Sequence, residues 1–400
     1  MQPKTFARLV PLAALLLALA GCGSNEPSGS SGGGAQGFTP PKVPMLQSLG
    51  AGEGSVNLVA WAGYVEDGST DPKVDWVTPF EKATGCKVNV KVAATSDEMV
   101  QLMKSGQYDA VSASGDASLR LIAAGDVAPV NTGLVKNYAD VFDALKMQPW
   151  NSVKGVAYGI PHGRGANLLM WRTDHVKPAP DSWGVVFDPS SPYKGKVTAY
   201  DSPIYIADAA VYLKATKPDL GITNPYELDD KQFQASVDLL KQQATVVGEY
   251  WSDYTKEIQA FKSGSSVVGT TWQIIANLAQ ADKAPVQVTL PKEGSTGWSD
   301  TWMVSSKAAH PNCAYMWMDH IVSPKANAAV AEWFGEAPAN RLACDQTADK
   351  NHCNIFHATD EAYFSKVAYW TTPIKDCGDA RGQACKDYSE WTRAWTEIKG

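Results

Sequence analysis

The sequence is poor in basic charge: 35 Lys and Arg stand against 42 Asp and Glu, a formal net charge of −7. A nucleic-acid partner needs a basic patch or stripe, so none is expected. Long apolar runs are also scarce. Leu9–Leu19 is eleven residues, well below the roughly 18 to 20 that cross a bilayer, and no later stretch is apolar for long enough to span. There is no HExxH, no P-loop spacing and no G-x-S-x-G elbow on a strand-to-helix turn, and the six histidines adjoin no obvious nucleophile. No enzyme chemistry is therefore expected. No CxxC occurs, so a zinc site from Cys344, His352, Cys353 and His357 is outweighed by disulfides, and neither metal nor cofactor is anticipated.

What is present begins with an address. Lys4 and Arg8 precede the short apolar run, small residues follow, and Leu19-Ala20-Gly21-Cys22 ends it. This resembles the lipobox of bacterial lipoproteins, which implies cleavage before Cys22, a lipid on that cysteine and attachment at the outer face of the cell membrane. Cleavage removes two cations and no acid, moving the formal charge from −7 to −9. Residues 22–54 open on a Gly/Ser stretch and continue through a Pro-flanked one, and read as a flexible tether. Of the six remaining cysteines, Cys344/Cys353 and Cys377/Cys385 are each close enough to seal a short loop. That leaves Cys86 for Cys313.

The body alternates strand and helix signals. Val56–Ala60 is a short β-branched run, and Trp76, Val77 and Phe80 follow at helical spacing before Gly85. Val88, Val90 and Val92 alternate; Thr95 and Glu98 form a capping box; YDAVSA leads through Ser114-Gly115-Asp116 into another helix. The rhythm returns in KGKVTAYD, SSVVGTTW and VQVTL. We expect an α/β protein with two lobes, each a mostly parallel sheet flanked by helices, and a ligand cleft between them. The crossovers fall near PHGRGAN (161–167) and in 291–300. The expected organisation is a signal peptide at 1–21, the tether at 22–54, one lobe from 55–170 plus 299–340 and the other from 171–298 plus 341–400.

Ligands of open parallel sheets collect beyond the carboxyl ends of strands. Several conspicuous residues stand there, and 14 tryptophans in 400 residues exceed what packing alone needs. Trp61 and Tyr64 follow the first strand; Ser114 and Asp116 follow YDAVSA; Asp201 follows KVTAY; Trp272 follows SVVGTT; Trp298 and Asp300 follow the Gly-rich turn after VQVTL. Each has a plainer use: Asp116 could cap a helix, Trp272 could be core, and Asp201 beside Ser202-Pro203 could serve a turn. If the strand ends face one another, they make a cleft of indoles and carboxylates suited to a cation.

The segments VNLVAWAGYV, PFEKATGCKVNV, YDAVSASGD, YGIPHGRGAN, VVGTTWQ and LPKEGSTGWSDTWMV resemble, in that order, the spermidine/putrescine-binding proteins of bacterial ABC importers. The likeness covers about residues 55–340 and is most specific at PKEG followed by Trp298-Ser299-Asp300. It implies a two-lobed periplasmic-binding-protein fold that delivers a small molecule to a permease. By the same resemblance Trp298 and Trp272 would sandwich an alkyl amine, Asp300 would hold its ammonium, and Trp61, Tyr64 and Ser114 would line the first lobe. The sequence departs from the family at Ala62, at Asp116 where an aromatic is expected, at Ile204 or Tyr205 where a second acid is expected, and at Glu336 where an aromatic is expected. Arg164 in PHGRGAN could pair with a ligand carboxylate, in which case a zwitterion such as a γ-amino acid would fit better than a diamine.

The expected function is thus a monomeric, lipid-anchored substrate-binding component for putrescine, spermidine or a related amino compound, partnered by ABC permease subunits. A binding protein for a zwitterion, a secreted cleft enzyme and a sensor that binds without transport are the alternatives.

Overall fold

The computed structural model describes residues 39–377 and 384–400. The expected signal peptide, Cys22 and the first part of the tether lie outside the described residues. In chain order the strands used below are β1 (Ser55–Ala60), β2 (Lys87–Val92), β3 (Ala110–Ala113), β4 (Ile160–Pro161), β5 (Gly163–Arg172), β6 (Val197–Tyr200), β7 (Val247–Trp251), β8 (Val268–Trp272), β9 (Val286–Thr289), β10 (Ser295–Trp298), β11 (Thr301–Val304), β12 (Ala337–Pro338) and β13 (Val367–Tyr369).

They form two sheets. One has the order β2-β1-β3-β11-β4; the other runs β13-β10-β5-β8-β6-β7, with β9 and β12 also paired to β5. Pairing is parallel where strand–helix–strand units build the sheets, as in β1 with β2 and β3, or β6 with β7 and β8. It is antiparallel along β5 and β11, the strands that follow the crossovers. The sheets are mixed because a chain that has just changed lobes enters its new sheet from the shared edge, against the strands already there.

Local signals place the elements as their chemistry requires. Thr95 Oγ1 accepts from Glu98 N at the start of the helix Ser96–Lys104. The reciprocal half of the box is shifted by one residue: Glu98 Oε2 accepts from Ala94 N. The two lobes have separate cores. Val56, Leu58, Phe80, Trp302 and Trp317 belong to the first; Trp183, Phe187, Tyr205, Val268 and Trp391 belong to the second.

Three boundaries move. Ala337–Pro338, expected in the first lobe, pairs with β5 of the second sheet. The chain leaves the first sheet after Pro161 and joins the second at Gly163, so residues 163–170, expected in the first lobe, are in the second sheet. The near-continuous apolar strand 166–171 masks this change, because nothing in it marks which sheet it enters. The tether also ends earlier than residue 54. Leu46 packs on the first core, Asn131 Nδ2 donates to Leu46 O, and Glu53 accepts from the backbone of Asn312 and Cys313. Glycine-rich composition suggested freedom, but one apolar anchor and one carboxylate at a helix N-terminus hold this stretch down.

The three disulfides are Cys86–Cys313, Cys344–Cys353 and Cys377–Cys385. Because Cys344 and Cys353 are bonded to each other, neither offers a thiolate to zinc. Among the described residues no helix is long and apolar enough to cross a membrane.

Candidate functional site

The topology gathers one edge from each sheet. The carboxyl ends of β1 and β3 deliver Trp61, Tyr64 and Ser114, and antiparallel β11 starts at that same edge, directly after Asp300. In the second sheet, the carboxyl ends of β6, β8, β10 and β13 carry Tyr200, Trp272, Trp298 and, one residue on, Trp370. The amino end of β5 lies among them, Trp298 opposite Gly165 and Trp272 opposite Asn167. The chain crosses at His162 and again at Ser299-Asp300, and these crossings are bonded to each other, with His162 N donating to Asp300 O at 2.8 Å. A third segment passes there too: Thr372 Oγ1 donates to Asp116 O at 2.7 Å.

Asp300 is the centre. It is buried, and both its oxygens are engaged: Ser114 Oγ donates to Oδ1 at 2.5 Å, while Tyr64 Oη lies 2.7 Å from Oδ2. The same Tyr64 hydroxyl is 3.2 Å from Glu336 Oε2, and His162 Nε2 approaches Glu336 Oε1 at 3.4 Å. Burial pushes the Asp300 carboxyl up to about 7, with the Ser114 and Tyr64 bonds partly opposing it. Glu336 is raised well above the usual carboxylate range by burial and by the neighbouring Asp300 charge. Burial alone lowers the His162 imidazole to about 3, so it is neutral. Asp116, likewise buried, is raised to about 6; Ser96 Oγ donates to its Oδ1 at 2.9 Å and Arg120 adds a weaker opposing attraction.

Aromatic rings enclose these acids. Phe334 stands edge-on to Tyr64 at 4.6 Å and to Trp298 at 5.7 Å. Tyr200 stacks on Trp370 at 5.8 Å and tilts against Trp272 at 5.6 Å. Trp298 lies so close to β5 that a Cβ at Gly165 would come within 2.5 Å of its ring, which is why this position is glycine. Trp272 is oriented by Asn167, whose Oδ1 accepts from Nε1 at 2.9 Å; Asn167 in turn donates to Thr296, and Thr296 to the buried Asp208. Among the described residues, the indole N–H groups of Trp61, Trp298 and Trp370 are buried without a partner.

The structure thus brings together Tyr64, Ser114, Asp116, Trp272, Trp298, Asp300 and Glu336, and leaves Trp61 at the same sheet edge. It removes two candidates. Arg164 is fully buried but turned away: its guanidinium donates to Glu361 Oε1 at 2.7 Å and Ala358 O at 2.9 Å, and lies 3.8 Å over the Phe364 ring. A zwitterion reading that leaned on Arg164 loses its cation. Asp201 takes Lys399 Nζ at 2.7 Å on both oxygens and Trp395 Nε1 at 3.0 Å, all from the C-terminal helix Tyr388–Lys399. Successive strand residues point to opposite faces, so Tyr200 reaches the acids and Asp201 turns outward. Asp201→Asn is therefore expected to leave ligand affinity within about twofold, since an exposed pair contributes at most about 1 kcal/mol and only to the fold; calorimetry on the variant checks it.

Residues the sequence did not single out are His162, Tyr200, Phe334 and Trp370. His162 was visible as part of an expected crossover, and Tyr200 as the last residue of a strand. Trp370 follows the stretch of family likeness and had no signal.

Two α/β lobes crossed by the chain at a buried acidic and aromatic cleft define a solute-binding protein. Residues 75–351 match the family model of the bacterial extracellular solute-binding proteins, and the chain belongs to that family. It is 25% identical over 289 residues to the spermidine/putrescine-binding periplasmic protein 1 of Haemophilus influenzae, spanning 71% of this chain and 75% of that one. It is 24% identical over 368 residues to a putrescine/cadaverine-binding protein of Pseudomonas aeruginosa, 86% of this chain and 92% of the relative. The crystal structure of the spermidine/putrescine ABC transporter substrate-binding protein PotD from Streptococcus pneumoniae superposes with a TM-score of 0.67 at 16% identity, covering 86% of this chain and 97% of the other.

Proposed function

We propose that this protein captures a short aliphatic diamine or polyamine of the putrescine class and delivers it to an ABC permease, held at the membrane through lipid on Cys22. One observation carries the reading: Asp300 and Glu336 are buried together, and among the described residues no Lys or Arg pairs with either or attracts its charge. Buried carboxylates without a cation are costly, and an ammonium supplied from solution relieves that cost. Asp300 takes the ammonium with Ser114 and Tyr64 behind it. Trp298, Phe334, Trp272 and the Tyr200–Trp370 pair cover the methylenes, and Asp116 attracts the far end. Cation–π contacts of about 0.5 to 2 kcal/mol and about 0.8 kcal/mol per buried methylene, added to the ion pair, reach the roughly 8 kcal/mol of micromolar binding.

Calorimetry against putrescine, spermidine, γ-aminobutyrate and the common amino acids tests this. Diamines are expected to bind, with the ligand recovered unaltered. γ-Aminobutyrate is expected to be excluded, because its carboxylate would meet acids and no free cation. Binding of γ-aminobutyrate alone, or of no amine, would overturn the reading.

A further inference from the structure

The first-lobe face of the site holds a row of polar groups whose direction is fixed at one end. Trp302 Nε1 can only donate, and it does so to His162 Nδ1 at 3.0 Å. His162 Nδ1 therefore carries no proton, and the neutral ring has its hydrogen on Nε2, which faces Glu336 Oε1 at 3.4 Å. Neither atom has a formed hydrogen bond among the described residues, but the Nε2–H turns its positive end toward Oε1 and so disfavours a proton on that oxygen. Tyr64 Oη, with one hydrogen, stands between Glu336 Oε2 and Asp300 Oδ2 at 3.2 and 2.7 Å, and it cannot donate to both. Ser114 completes the row on the far oxygen of Asp300.

We propose that Glu336 is a neutral carboxylic acid that positions Tyr64: its Oε2–H donates to Tyr64 Oη, which turns the single phenol hydrogen onto Asp300 and leaves Asp300 the only anion at this end of the cleft. The groups facing the Glu336 carboxyl are consistent with this. Tyr64, His162 and Asp300 surround it, His352 reaches only its backbone oxygen at 2.8 Å, and no cationic side chain among the described residues pairs with it. The carboxyl also lies tight over β5, where a Cβ at Gly163 would stand 2.4 Å from it, so no ligand atom fits on that side. Burial pushes its titration in the direction that keeps the proton on. The consequence is a charge count. One ammonium is matched at this end, and Glu336 acts on it only through Tyr64.

This inference rests on the amine reading, and the experiment separates the two. Putrescine binding is measured by calorimetry for Glu336→Gln, Glu336→Leu, Tyr64→Phe and Tyr64→Phe/Glu336→Leu. Gln reproduces the acid, with a carbonyl toward His162 and N–H toward Tyr64, and should bind within about threefold of wild type. Leu provides no donor and should weaken binding about tenfold or more, the loss of the hydrogen bond that holds the Tyr64 hydroxyl with its hydrogen on the charged Asp300. In the Tyr64→Phe background the Leu substitution should change affinity less than about twofold, because its route to Asp300 is gone. A Gln variant as weak as Leu would show that the site needs the charge, and a Leu effect that survives Tyr64→Phe would show packing alone; either overturns the proposal. A readout independent of any ligand decides the case if no amine binds or Leu fails to fold. The infrared difference between wild type and Glu336→Gln at pH 7 should contain the C=O stretch of a protonated carboxyl, and a carboxylate band in its place refutes the assignment.

Discussion

Asp300→Asn is expected to weaken amine binding by about 2 to 5 kcal/mol, thirtyfold to a few thousandfold, while the fold persists. The amide keeps the size of the acid and can still accept from Ser114 or Tyr64, but the buried ammonium loses its counter-charge. The size of the loss follows from burial: a charge pair shielded from water interacts several times more strongly than one at the surface. The pH dependence has a definite sign. Burial raises the ligand-free Asp300 carboxyl to about 7, whereas an ammonium beside it favours the ionised form. Above about pH 7 the group is already ionised and contributes no pH dependence to binding. Below that, one proton must leave for each amine bound, so affinity falls toward tenfold per pH unit. The stability of the ligand-free protein runs the other way. A carboxyl raised in the folded state contributes stability fully present below its unfolded value near 4 and lost as pH rises through about 7, and Asp116 and Asp208 add to this in the same sense. Ligand should therefore raise the melting temperature more at pH 8 than at pH 5. Calorimetry and thermal melts of wild type and Asp300→Asn across pH 5 to 8 check both; a flat wild-type binding profile, or an unaltered variant, would take Asp300 out of the site.

Much of this arrangement was legible in the sequence because it rests on short-range rules. A residue that ends a strand or directly follows it stands at the sheet's edge, and Trp61, Ser114, Trp272 and Trp298 are placed there by that rule alone. It fails by one residue at Tyr200 and Asp201, where alternation decides the face and no flanking signal says which face looks inward. It fails differently for Arg164. A buried arginine beside a crossover has the same sequence signature whether it faces the ligand or a partner 197 residues away in Glu361. Pairings at that separation are set by packing of whole elements, and single-sequence patterns do not carry them. Glu336 was noticed only as a departure from the family pattern. Its contact with Tyr64, across 272 residues, gives it a role, and that contact exists because β12 pairs with β5 next to the crossover.

The crossovers also explain why one covalent link should matter most to stability. The first lobe is made of two stretches of chain separated by the larger part of the second lobe, and Cys86–Cys313 joins them over a sequence separation of 227. Without the bond, the unfolded chain must bring those stretches together across the whole insertion, and the chain-entropy cost grows with the logarithm of that length. Replacing both cysteines by alanine is expected to cost about 5 kcal/mol on that model, against about 2.5 kcal/mol for Cys344–Cys353, whose separation is only 9. Both partners are buried in the first core, so the alanines add a small packing loss to the larger figure. Urea titration of the two double variants, each followed through the tryptophans of either lobe, distinguishes the cases. The Cys86/Cys313 variant should show its first-lobe transition at much lower urea, with a steeper slope because its unfolded chain is less constrained. Equal losses for the two pairs would mean that loop length is not what the long-range bond controls.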